Sequence, residues 1–95
     1  MINVKIKPNE IIIDGHANSA PKGEDLVCCA VSTLYYALIA NLLDITDNVD
    51  YDGEDGHARV KCKEFSRDAH RCFKFFRIGI KHLADKYPKN INIEK

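Results

Sequence analysis

The sequence predicts a single α+β domain, with two helices packed on an antiparallel or mixed sheet in the order ββαββαβ. Three observations lead to that class. Ile2, Val4 and Ile6 alternate with Asn3, Lys5 and Lys7, the two-residue period of a half-buried strand. From Asp25 the chain changes abruptly to a 20-residue apolar run, DLVCCAVSTLYYALIANLLD. Ala69, Cys72, Phe73, Phe76, Ile80, Leu83, Ala84 and Tyr87 then recur at helical spacing, opposite Arg67, Arg71, Lys74, Arg77 and Lys81.

Each element has its own punctuation. Pro8-Asn9 is a turn signal, so the first strand folds back into a second at Ile11-Ile12-Ile13. Residues 18–24, NSAPKGE, read as a loop, and its position suits a mobile gate. Asp25 is a good N-cap for the first helix. That helix is apolar nearly all round, so a second helix or a second subunit must cover what the sheet does not. Val49–Tyr51 and Ala58–Cys62 alternate as a second hairpin, with Asp52-Gly53 and Asp55-Gly56 as turn dipeptides between them. Ser66 caps the second helix and Tyr87-Pro88 ends it, which leaves Ile91–Ile93 for a last strand.

With 95 residues there is room for one hydrophobic core, so residues 1–95 read as one domain. Hydrophobic residues at 45% and charged residues at 29% exclude a disordered chain. No window of about 18 uninterrupted apolar residues occurs, so no membrane partner is expected. The N-terminus lacks the apolar block of a signal peptide, and a cytoplasmic location is the default.

The four cysteines do not resemble a disulfide framework. Cys28 and Cys29 are neighbours, Cys62 and Cys72 lie ten apart, and no Cys-x-x-Cys occurs. His57, His70 and His82 form no ligand quartet with them, so neither a metal nor a cofactor is expected. Free thiols, mostly packed as small apolar groups, are the expectation. Net charge is zero, but residues 1–56 carry three basic and ten acidic side chains while residues 57–95 carry eleven and four. An acidic half of the molecule would draw in a basic polypeptide.

The chemistry concentrates between Gly15-His16-Ala17 at a strand end and Gly23-Glu24-Asp25-Leu26-Val27-Cys28 at a helix start. With Asp25 as N-cap, Cys28 falls in the first helical turn, where the helix dipole favours a thiolate. A neighbouring imidazole would serve as general base and then as general acid. First-turn N–H groups without partners would hold a developing oxyanion. Composition alone reads a Cys-Cys pair as packing and a His after Gly as a turn residue, and sequence does not say that the two meet.

GHANSAPKGEDLVCCAVS resembles the signature of the ribosomal-processing cysteine protease family, Prp. Gly15, His16, Ala17, Gly23, Asp25, Val27, Cys28 and Ser32 match it, and the His-to-Cys spacing is kept. The resemblance implies a cytosolic, homodimeric cysteine endopeptidase that removes the N-terminal extension of large-subunit ribosomal protein 27. By position, Cys28 would be the nucleophile and His16 the base, with Asp25 and Ser32 in support. Cys29 departs from the small Ala often found there.

The rival class is a non-catalytic RNA- or ribosome-binding assembly module using the five cations of the second helix. No recognised RNA-binding motif accompanies them, so direct nucleic-acid binding ranks below proteolysis. A redox protein is disfavoured by the lack of a second cysteine at Cys-x-x-Cys spacing.

Overall fold

The computed structural model describes residues 1–16, 25–54, 56–64 and 66–94. The gate expected of residues 18–24 lies outside them. The elements follow the predicted order: β1 (Ile2–Lys7), β2 (Glu10–Asp14), α1 (Leu26–Ile45), β3 (Val49–Glu54), β4 (His57–Cys62), α2 (Arg67–Lys86) and β5 (Ile91–Glu94). The strands form one five-stranded sheet in the order β3-β4-β2-β1-β5. β1, β2, β4 and β3 pair antiparallel, and β5 joins β1 in parallel, so the sheet is mixed.

The register explains why only one sheet face is apolar. Val4 lies opposite Ile13 and Ile93, and Ile11 lies opposite Ile6 and Val60. Directly opposed residues share a face, so Ile2, Val4, Ile11, Ile13, Val60, Cys62 and Ile91 form one buried surface. Both helices cover it. α1 contributes Val31, Tyr35, Leu38 and Leu42, and α2 contributes Ala69, Phe73, Phe76 and Ile80. Burying each of the larger side chains favours folding by about 1.5–3 kcal/mol before chain entropy is counted. The opposite sheet face is polar, with Arg59 of β4 held among Glu10, Asp50 and Asp52 at 3.1–3.5 Å.

One side chain ties helix to sheet, and a second ties a turn to its neighbouring strand. The Tyr35 hydroxyl lies 2.8 Å from the Asp52 carbonyl and 2.9 Å from that of Arg59, tying α1 to the β3–β4 pair. Burial raises the pKa of this phenol, so it stays a donor. Asn9 in the β1–β2 turn donates from its amide to the Cys62 carbonyl and accepts the Cys62 N–H, both at 3.0 Å.

Two expectations need correction. Asp52-Gly53 is not a turn: both residues lie within β3, which pairs as far as Glu54 opposite His57. The cross-strand attraction of Arg59 for Asp50 and Asp52 outweighs the local turn preference of Asp-Gly. α1 is also long and apolar enough, by length and composition, to cross a membrane, with a mean hydropathy of 1.9. Its place against the sheet accounts for one apolar side. Leu26, Tyr36 and Leu43 remain exposed on the rest of its surface.

Candidate active site

The site forms where the end of β2, the beginning of β4 and the N-terminus of α1 converge. β2 runs out at Asp14, and Gly15 then turns the chain with φ +94°. Its N–H donates to the Gly56 carbonyl at 2.8 Å, extending the β2–β4 pairing by one further contact. A Cβ at Gly15 would collide with the backbone carbonyl of Met1, so only glycine fits. His16 is thereby delivered against Gly56, itself at φ +82°. An added Cβ on Gly56 would lie 3.0 Å from His16 Nε2.

α1 supplies the thiol. Asp25 is its N-cap, with one carboxylate oxygen accepting the N–H groups of Val27 and Cys28, both at 3.0 Å. The Asp25 carbonyl takes the Cys29 N–H at 3.1 Å. Cys28 therefore occupies the third helical position, where its side chain faces the sheet. His16, Cys28 and Ser32 line one cleft of about 180 Å³, together with Glu54, Gly56 and His57. Successive helical residues point about 100° apart, and Cys29 accordingly lies exposed, away from the cleft.

The cap corrects one expectation. The amides of residues 27–29 are all engaged by Asp25, and of the first-turn donors only Leu26 N–H stays outside that arrangement. They are not free to hold an oxyanion. The carboxylate also offsets part of the positive potential at the helix start. Ser32 is in a different position: its side chain lines the cleft one turn beyond Cys28.

Sequence reasoning passed over His57 as a cleft residue. Its Nδ1 pairs with an Asp14 carboxylate oxygen across the β2–β4 register. Hydrogen bonding to Asp14, reinforced by the Asp14, Asp52 and Glu54 charges, holds its pKa above the ordinary histidine value. A signal was available, because Asp-Gly-His occurs twice, at 14–16 and at 55–57. The two copies bring two imidazoles to the same end of adjacent strands.

The other thiols are packing groups, as expected. Cys62 is buried and donates to the Glu64 carbonyl at 3.4 Å. Burial and the nearby Asp68 push the half-buried Cys72 thiol up in pKa, away from reactivity. Among the described residues no three His, Cys, Asp or Glu side chains converge as metal ligands.

A helix-start thiol and a strand-end imidazole line one cleft, an arrangement compatible with a cysteine-dependent hydrolase. The family model for cysteine protease Prp matches residues 1–92, and the chain belongs to that family. It is similar to the ribosomal processing cysteine proteases Prp of Mycoplasma genitalium and Staphylococcus aureus. The first is 26% identical over 99 residues, covering 100% of this chain and 96% of the relative. The second is 23% identical over 96 residues, covering 97% and 91%. Its fold matches the crystal structure of the S. aureus Prp protease in complex with a covalently linked product peptide. There the TM-score is 0.85 at 19% identity, over 98% of this chain and 95% of the other. The chain is thus a cysteine protease of a ribosomal-processing family.

Proposed function

We propose that this chain is a cytoplasmic endopeptidase that removes the N-terminal extension of large-subunit ribosomal protein 27. In this reading Cys28 is the nucleophile and His16 the base. The observation that carries it is the shared cleft of Cys28 and His16, at the junction of α1 with the β2 and β4 ends.

The chemistry runs as acyl transfer. His16 accepts the Cys28 thiol proton, and the thiolate attacks the scissile carbonyl carbon. A C–S bond forms, and the carbonyl π electrons move onto oxygen. As that oxyanion collapses, the C–N bond breaks and His16 returns the proton to the leaving amine. Water, deprotonated by the same imidazole, then attacks the thioester and restores the thiol. Ser32 is a hydroxyl donor one turn from Cys28, and Asp25 acts indirectly by fixing the helix start.

The cleft continues into a second hollow of about 350 Å³ between α1 and β3, walled by Tyr35 and Tyr36 above Gly53 and Ala58. Continuity of this kind suits an extended peptide. Glu54 borders both hollows, which favours a basic substrate.

A homodimer belongs to the same proposal. Leu43 and the exposed Cys29 lie on the side of α1 turned away from the core, and a second copy would remove that apolar surface from water. Sedimentation at micromolar concentration is expected to give the dimer mass.

The deciding experiment is cleavage of a peptide copying the ribosomal protein's N-terminal extension. Wild type and Cys29→Ala should process it, while Cys28→Ala and His16→Ala should lose turnover. Processing by Cys28→Ala, or loss in Cys29→Ala alone, would overturn the assignment.

A further inference from the structure

A second concavity lies at the other end of the molecule, far along β1 from the cleft. It is a groove of about 810 Å³ between α2 and the corner formed by β1 and β5. Its floor is apolar, with Ile6 and Ile93 on the buried side of the sheet edge. Its α2 wall carries Arg77 and Lys81 beside His70, with Asp85 the single acid, while Lys7 of β1 borders the groove with its side chain turned to Glu10 on the polar sheet face.

These charges are unequal in their commitments. Lys7 is paired with Glu10 at 3.4 Å. Among the described residues neither Arg77 nor Lys81 belongs to any ion pair. The groove also opens into a longer feature. Arg67, Arg71 and Lys74 are exposed and share one helical stripe with Arg77 and Lys81. By the helical rise that column runs ~21 Å.

We propose that this groove and the adjoining column of α2 bind the phosphate backbone of single-stranded RNA. The column asks for a ligand with a charge at every repeat, which a polyphosphate backbone supplies and a short acidic peptide does not. The concavity admits a strand between the cationic α2 wall and the apolar sheet edge, whereas a flat anionic bilayer would meet only the rim. The apolar floor offers a surface for a base or a ribose, a usual companion of a cationic wall in single-strand binding. RNA is the polyanion at hand for a ribosomal-processing family. The site is separate from the proteolytic cleft, sharing no lining residue with it, so both can be occupied together. The sequence ranks nucleic-acid contact low because no recognised RNA-binding motif accompanies the cations of the second helix. It does not place an apolar groove beside them.

The test is fluorescence anisotropy with a labelled unstructured RNA of about 12 nucleotides, using the full chain. Binding is expected at low salt, with a log–log salt slope of roughly −2 to −3 if three or four phosphates are engaged. Arg77→Glu combined with Lys81→Glu should weaken it at least tenfold while cleavage of a short neutral peptide is unchanged. Should that variant fold poorly, Arg77→Gln with Lys81→Gln should lower the slope by about 1.4. Cys28→Ala should bind as wild type does. No binding at low salt, binding indifferent to Arg77 and Lys81, or equal binding of a poly-glutamate peptide or anionic vesicles would each overturn the proposal.

Discussion

The imidazole of His16 lies against Gly56, whose φ of +82° and missing side chain leave the space that Nε2 occupies; a Cβ there would come within 3.0 Å. The relationship is made by the β2–β4 pairing, since Gly15 donates to the Gly56 carbonyl. A glycine forty positions away in sequence thus sets where this imidazole stands.

Gly56→Ala is therefore expected to harm both stability and turnover. The left-handed backbone alone costs an L-residue about 1 kcal/mol, and the methyl group displaces the imidazole. Gly53→Ala is the control for stability, because its Cβ would meet Tyr35 only at ordinary contact distance, 3.8 Å. Peptide hydrolysis should fall further for Gly56→Ala than its melting temperature suggests.

Removing the cap should act on the helix start that carries Cys28. Asp25→Ala loses two hydrogen bonds to the first turn, at about 1 kcal/mol. For a chain of this size that is about 4–8 °C in melting temperature. Asp25→Asn retains an acceptor and should recover most of the loss in thermal denaturation.

Ser32→Ala tests the hydroxyl donor. With the first-turn amides of residues 27–29 committed to Asp25, Ser32 is a hydroxyl donor that lines the cleft one turn from Cys28. If it stabilises the oxyanion, kcat should drop by roughly 10²-fold with KM little changed. An equal rise in KM at constant kcat would make it a ground-state binding group instead.

The thiols should separate by alkylation. Cys29 is exposed and should react quickly, while Cys62 should react only on unfolding. In the proposed dyad the rate at Cys28 depends on the imidazole, so His16→Ala should slow alkylation of Cys28 by tenfold or more and leave Cys29 unchanged. Mass spectrometry of labelled peptides resolves the two neighbours.

His57 should titrate above the ordinary histidine value of about 6.5, because Asp14 hydrogen-bonds its ring and favours the cation. Since the folded pKa is the higher one, the stabilisation is full below the unfolded pKa and fades as pH rises through the folded one. Asp14→Asn should lower the NMR titration midpoint. The stability gap between wild type and Asp14→Asn should narrow as pH rises from 5 to 9.

Much of this architecture was legible because its causes are local. The α2 stripe from Ala69 to Tyr87 needs only the helical period, and Asp25 and Ser66 cap their helices through contacts within three residues. Where the sequence misled, a competing partner explains it. Asp52-Gly53 reads as a turn until Arg59 is opposite, and the first-turn amides read as open until the Asp25 carboxylate takes them. His57 was missed because its significance lies in sharing a cleft, not in its own neighbours.

Periodicity, capping and turn chemistry are enough to set the number, type and order of the elements, and the motif from Gly15 to Ser32 suggests a protease through its resemblance to a known family. Strand order, the parallel seat of β5 beside β1, and the placing of His16 against Gly56 along one cleft with Cys28 were decided only by the tertiary structure. The reason is range. A helix cap or an alternating strand is specified by side chains a few positions apart. A cleft between β2, β4 and α1, or a cationic groove between β1 and α2, depends on which apolar faces bury together once the whole chain has folded.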